Sequence, residues 1–265
     1  QHKPTYGQIA RGNFRSHPSY EGCVGHWIMN DRGGLTVRDV SGYQNDGTLT
    51  NGPTWSAGQF GDALKFDGVD DYVDLGNDAI HRPTAAITLS AWIYSSDIVP
   101  NGLRIWDNET ADAANGYVVA QSTTDGAFVY RIGGIVANAV GSFLVNTWNL
   151  LTITYDGSNI RGYKNAVLFA TTAKTGAIAY TGVTTLYAGR LMTSNALNWK
   201  GLLDDMRIYN RALTENDIAV LYLNPWAPWA VQRRRTFATA AAVGRIWQLG
   251  GVGGGLAQRR GRLAA

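Results

Sequence analysis

Carboxylates are the groups in this chain best suited to acid–base chemistry, with 20 aspartates and glutamates among its 265 residues. Only Glu21, Glu109 and Glu215 are glutamates. Hydrolysis of a glycosidic bond needs two carboxyl groups facing one another across a cleft, one donating a proton and one ionised. The spacing of the acids suggests no such pair. Glu215 opens a helical run, where an acid favours the helix dipole. Asp204 and Asp205 are neighbours in a strand-like run, so alternation should send them to opposite faces. Asp67, Asp70 and Asp71 form a cluster that turn chemistry alone explains. The four histidines (2, 17, 26 and 81) are scattered, and His26, next to Trp27 in an apolar run, reads as structural. The single cysteine, Cys23, excludes an intrachain disulfide and a Cys-based zinc finger, and reads as a small buried hydrophobe. On these residues the chain is not an enzyme.

Charge divides the chain into three parts. Residues 224–265 carry seven arginines and no acid, residues 1–20 carry Lys3, Arg11 and Arg15 and no acid, and the stretch between is acidic. Basic ends can contact an acidic surface of nucleic acid, lipid or protein. Arg233, Arg234 and Arg235 could neutralise phosphates, but no nucleic-acid module accompanies them, and Trp226, Trp229, Phe237 and Trp247 lie among Ala and Gly. Solvated tails rarely carry so many large apolar groups. These seven residues are therefore expected to anchor the chain to a protein partner rather than to nucleic acid. The chain opens on Gln1 without the basic-then-apolar pattern of a secretory leader, and no apolar run is long enough to span a membrane.

The elements that position these groups are short. Hydrophobic residues make up 45% of the chain and charged residues 16%, so a sizeable core is within reach. Strands are expected at 24–29, 63–66, 72–74, 87–94, 104–107, 117–121, 127–132, 148–155, 160–164, 167–170, 185–188 and 201–209. Asp67-Gly, Asn115-Gly, Asp125-Gly and Asp156-Gly punctuate them with dipeptides that tolerate positive φ. Thr214 followed by Glu215 and Asp217 caps one short helix over 214–223, which Asn224-Pro225 ends. The fold class is all-β: a two-sheet antiparallel jelly-roll sandwich with one short helix, flanked by extended N-terminal (1–20) and C-terminal (224–265) arms.

Five segments in order resemble the LamG-like jelly-roll family of the concanavalin A-like lectin/glucanase fold. They are Asp39-Val-Ser-Gly-Tyr-Gln-Asn-Asp-Gly-Thr-Leu, Gly61-Asp-Ala-Leu-Lys-Phe-Asp-Gly-Val-Asp-Asp-Tyr-Val, Ile87-Thr-Leu-Ser-Ala-Trp-Ile, Trp148-Asn-Leu-Leu-Thr-Ile-Thr-Tyr-Asp-Gly, and Lys200-Gly-Leu-Leu-Asp-Asp-Met-Arg-Ile-Tyr running on to Ile218. They span roughly residues 22–223, and residues 21–223 are taken as the jelly-roll domain. The resemblance implies a structural calcium held by Asp39, Asn45 and Asp204, since calcium takes six to eight oxygen ligands. The alternative is that Asp39 and Asp46 cap turns while Asp204 pairs with Arg207 or Arg38. It also implies glycan binding, for which Tyr43, Trp55, Trp106, Asn108 and Trp199 are the candidates. Retaining glucanases of the related fold set their acids in patterns such as Glu-x-Asp-x-x-Glu, and no glutamate here lies in one.

The expected function is that of a non-enzymatic structural or surface protein, a phage capsid or tail decoration protein displaying the jelly roll on the virion and forming oligomers through its arms. The C-terminal Tyr-Leu-Asn-Pro-Trp-Ala-Pro-Trp segment is similar to the ends of phage-encoded LamG-like proteins. The alternative is an extracellular carbohydrate-binding or adhesion module.

Overall fold

The computed structural model describes residues 2–11, 17–95, 103–110, 114–121, 127–138, 145–183, 185–191 and 197–229. Among them run sixteen strands: β1 (Cys23–Trp27), β2 (Thr36–Val37), β3 (Gly47–Thr50), β4 (Thr54–Ala57), β5 (Asp62–Asp67), β6 (Tyr72–Asp74), β7 (Ile87–Ser95), β8 (Arg104–Glu109), β9 (Gly116–Gln121), β10 (Phe128–Ile132), β11 (Ile135–Asn138), β12 (Trp148–Tyr155), β13 (Asn159–Lys164), β14 (Val167–Ala173), β15 (Tyr187–Ala188) and β16 (Lys200–Tyr209). All twelve expected strands are present. β2, β3, β4 and β11 are additional, each four residues or shorter.

The strands form two antiparallel eight-stranded sheets. Sheet A runs β14-β13-β12-β7-β16-β5-β4, with β1 on β16, and sheet B runs β11-β10-β9-β8-β15-β6-β3-β2. Their facing sides enclose the main core, in which Trp27, Phe66, Trp106, Tyr117, Phe128, Tyr130, Ile153 and Trp199 are buried. Alternation along β7 shows the pattern: Leu89, Ala91 and Ile93 enter this core, while Trp92, at an intervening position, packs on the other side. Gly116 has φ +82, and a Cβ there would lie 1.7 Å from the Asn108 carbonyl oxygen, so only glycine lets β9 begin this close to β8.

The outer side of sheet A is covered as well. Helix α1 (Tyr6–Arg11) and helix α2 (Glu215–Leu223) lie over it, and Ile9, Tyr20, Trp92, Leu150, Tyr209, Ile218, Leu221 and Trp226 form a second core. Burial of Ile218 or Leu221 contributes roughly 2 kcal/mol each. α2 begins with a capping box in which the Asp217 N–H donates to Thr214 Oγ1 at 3.2 Å and the Thr214 N–H donates to Asp217 Oδ2 at 3.1 Å.

This covering corrects two expectations. Residues 2–11 are not an extended arm: Lys3 is 7% exposed, Ile9 is 8% exposed, and the Lys3 N–H donates to the Phe60 carbonyl. Trp226 and Trp229 are not free anchors either, because both pack on His26 and Tyr20 or Phe60. Arg233, Arg234, Arg235, Phe237 and Trp247 lie outside the described residues.

Candidate functional site

Three groups of polar residues stand out, and the first two explain the fold rather than a ligand. Asp204 receives the Lys3 ammonium, which also donates to the Met29 and Asp62 carbonyl oxygens, and the Gln59 N–H donates to its second oxygen at 3.2 Å. Burial pushes the Asp204 carboxyl up to about 7 in spite of Lys3. Next to it, Asp205 has φ +47, and the pairing with β7 shifts register between Asp204 and Arg207. This bulge overturns the expectation of opposite faces. Asp204 pairs with Trp92 and so faces the second core, while Asp205 reaches His26 and Arg207 on that same side.

His26 Nε2 lies 2.6 Å from Asp205 Oδ1 and Nδ1 lies 3.0 Å from the Tyr20 hydroxyl. Arg207 donates to Asp205 at 3.0 and 2.9 Å and to the Pro225 carbonyl at 3.0 Å, which ties the segment after α2 to the sheet. Burial and the neighbouring Arg207 cation lower His26 to about 4 against the pull of Asp205, so it is a neutral hydrogen-bonding residue at pH 7.

The calcium set does not assemble from these residues. Asp39 accepts the N–H groups of His26, Ser41 and Asn45 at 3.0, 2.8 and 3.1 Å and the Ser41 hydroxyl at 2.7 Å. The Asn45 amide faces His81 at 3.4 Å, and Asp204 is neutralised by Lys3. Asp39 and Asp204 share no partner, so the donor set does not fit calcium. Asp46 accepts the Asp39 N–H at 2.8 Å, as a turn cap does. Asp67, Asp70 and Asp71 have carboxylate oxygens within 4.8 Å of one another, but Asp67 and Asp71 accept the N–H groups of Val69 and Asp67 at 2.7 and 2.9 Å. Chelation with EDTA should therefore leave the melting temperature unchanged in a thermal shift assay. A drop of several degrees would restore the metal.

The third group lies on the outer face of sheet B. One register row crosses all eight strands there: Val136, Arg131, Val118, Asp107, Tyr187, Asp74, Thr48 and Thr36 stand opposite one another in turn. The row behind the sheet, Tyr130, Val119, Trp106 and Ala188, faces the core. A bulge between Arg104 and Trp106 turns both Ile105 and Trp106 inward. It places Arg104 on the same face as Asp107, with Nε 3.2 Å from Oδ2, a contact that regular alternation forbids at a spacing of three. Glu109, two residues beyond Asp107, takes Arg131 Nη1 on both carboxylate oxygens at 2.7 and 2.9 Å and Arg104 at 3.6 Å.

Beside this charged half stands an aromatic half. Tyr72 and Tyr187 meet edge to face at 5.5 Å, and the Arg190 guanidinium lies 4.3 and 5.0 Å from their ring centroids. Asp107 and Glu109 thus share one face of one strand, a spacing that the Glu-x-Asp-x-x-Glu pattern does not cover. Both are buried, at 0% and 4% exposed, and paired with guanidinium groups, which makes a fixed charged layer rather than an acid and a nucleophile.

None of the five glycan candidates belongs to this face. Trp106 and Trp199 are 1% and 0% exposed and fill the main core, and Asn108 is buried with its amide donating to the Thr185 carbonyl at 3.1 Å. Burial removes all three from contact with a sugar. Trp55 is half-buried with Nε1 donating to the Gly34 carbonyl at 3.2 Å. Tyr43 is 52% exposed on the loop after Asp39.

Two packed antiparallel sheets with polar and aromatic residues on the outer side of one define a lectin-like sandwich. The profile of the concanavalin A-like lectin/glucanases superfamily (Laminin G type 3) matches residues 67–219. The chain belongs to that superfamily.

Solved structures share the fold. Domain 4 of AbnA, an extracellular arabinanase from Geobacillus stearothermophilus solved with arabinotriose, is 16% identical over 76% of this chain and 98% of its own, with a TM-score of 0.62. The binding domain of botulinum neurotoxin DC in complex with SialylT is 17% identical over 77% of this chain and 52% of its own, with a TM-score of 0.59. The binding domain of Paraclostridial Mosquitocidal Protein 1 is 14% identical over 79% and 53%, with a TM-score of 0.59. The chain spans about half the length of these two toxin domains. No curated protein sequence matches the chain. No helix among the described residues is long and apolar enough to cross a membrane.

Proposed function

We propose that the domain is a carbohydrate-binding module whose ligand lies across the outer face of sheet B. The observation that carries the reading is the half-buried cluster of Tyr72, Asp74, Tyr187 and Arg190 on that face, beside the buried Arg104–Asp107 and Arg131–Glu109 pairs. A sugar presents apolar ring faces and a fringe of hydroxyls. The tyrosine pair supplies a surface for the former, and Arg190, Asp74 and Thr48 supply donors and acceptors for the latter. The ion pairs beside them are fixed before a ligand arrives, which limits the ordering entropy lost on binding. The arabinanase domain was solved with arabinotriose and the neurotoxin domain with SialylT, which supports looking for a glycan partner.

The test is a glycan array with the intact chain and its Tyr187→Ala and Arg190→Ala variants. Binding that falls about tenfold or more in both variants, with melting temperature kept, is the expected result. Binding unaffected by either variant, or no glycan bound at all, overturns the reading.

A second reading is attachment to a larger assembly such as a phage capsid or tail. What supports it is the seven arginines and absent acids of residues 224–265. Co-sedimentation of the chain with particles of megadalton mass in its native source tests it, and migration as a single chain removes it.

A further inference from the structure

A separate cleft of about 400 Å³ opens between α1 and the loop at residues 30–38, on residues that lie outside the superfamily match. That volume falls within the range of small-molecule sites. Its floor is Asp31, whose Oδ1 accepts the Tyr6 hydroxyl at 2.6 Å and whose Oδ2 accepts the Arg38 N–H at 3.4 Å. The Arg38 guanidinium lies 4.7 Å from the Tyr6 ring centroid and 3.6 Å from Asp31, so floor and wall are braced against one another.

The mouth is built differently. The Arg32 side chain is 78% exposed, 3.5 Å from Asp62, and Leu35 is 70% exposed. Between them, Gly33 and Gly34 have no atom within 4 Å of where a Cβ would stand, so their main chain is open to close approach. The loop is nevertheless fixed, because Gly34 O accepts the Trp55 indole N–H at 3.2 Å and Leu35 O accepts the Leu49 N–H at 2.8 Å.

We propose that this cleft binds one acidic sugar residue, a monosaccharide bearing a single carboxylate, with the carboxylate at Arg32 and the bare Gly33–Gly34 backbone. Arg38 is engaged by Asp31, while the exposed Arg32, which meets Asp62 only at 3.5 Å through Nε, keeps guanidinium donors for one carboxylate. The Asp31 carboxylate at the floor repels a second negative charge. Leu35 offers an apolar surface for one ring face, and Asn30 and Thr36 offer polar contacts for hydroxyls. The cleft meets the outer face of sheet B only at Thr36, on its edge strand, and shares none of Tyr72, Tyr187 and Arg190, so the two sites stand or fall separately.

Because the Trp55 indole N–H is bonded to the loop, its resonance in a proton–nitrogen correlation spectrum reports occupancy. Titration of the full chain with glucuronic acid should shift it, and Arg190→Ala on sheet B should leave that shift intact. Arg32→Ala, at an exposed position, should weaken binding about tenfold. Leu35→Asp, which puts a negative charge at the mouth, should do at least as much. An unmoved resonance overturns the proposal. So does an equal response to glucose, which would show that the carboxylate is not read, or to inorganic phosphate, which would show that the sugar is not.

Discussion

Replacing Lys3 by methionine should destabilise the folded chain by about 3–5 kcal/mol at pH 8, measured by urea denaturation. The Lys3 and Asp204 side chains are 1% and 0% exposed, so neither has solvent to fall back on when the other is removed. A lone buried carboxylate is far more costly than a buried ion pair. Two further results identify the cause. The double variant Lys3→Met/Asp204→Leu should recover most of the loss, because it removes both charges and keeps the volume filled. The deficit of the single variant should also shrink as the pH is lowered. The Asp204 carboxyl stands at about 7, above its ordinary 3.8, and loss of Lys3 raises it further. A raised carboxyl contributes its stability in acid and loses it as the pH rises through the folded value. A loss below about 1 kcal/mol, the worth of a surface ion pair, would mean that the N-terminal segment is only loosely held.

Between pH 7 and 5 His26 should cost the fold about 2 kcal/mol, while the raised Asp204 carboxyl acts in the opposite direction over the same interval, so variants and not the parent curve alone separate the two. Burial and Arg207 hold this ring at about 4 instead of the ordinary 6.5. The unfolded chain therefore takes up a proton across this interval while the folded chain does not. The stability that neutral His26 contributes is complete above 6.5 and is lost as the pH falls towards 4. His81, also lowered by burial, acts in the same direction. Asp205 lies outside the window: burial pushes it up, but Arg207 and His26 hold it down to about 2, so its contribution is lost only in stronger acid. Comparison of His26→Asn with the parent isolates the effect, the stability of the parent relative to the variant falling by about 2 kcal/mol between pH 7 and 5. Parallel curves for the two proteins would remove His26 from the acid response.

The fold was legible because jelly-roll strands repeat a local signal. Apolar alternation along 87–94 and 148–155, turn dipeptides such as Asp156-Gly and a capped helix at 214 each act over a few residues. What was hidden acts over long separations. Lys3 meets Asp204 across 201 residues, and no periodicity marks residues 2–11 as packed. Trp226 and Trp229 looked available because their partners, Tyr20 and His26, come from the far end of the chain. The site on sheet B escaped for a local reason. The bulge at Ile105 sets Arg104 and Asp107 on one side, and a bulge leaves little trace in a single sequence. The same holds for Asp205, whose positive φ turned two neighbouring aspartates to the same side. Asp-x-Glu at 107–109 was readable as two acids on one strand face, and a search built on glucanase spacing passed over it.

The two outer surfaces of the sandwich are unequal: the chain's own ends seal sheet A, while on sheet B Thr36 and Thr48 stay exposed and Tyr72, Tyr187 and Arg190 half-buried. That inequality gives the molecule a built-in orientation. A biotin or resin linkage placed at His2, next to the docked Lys3, would hold the sandwich by its sealed side. Tyr187 and Arg190 would then point away from the support. A sensor chip or affinity column made this way would offer every molecule in the same attitude.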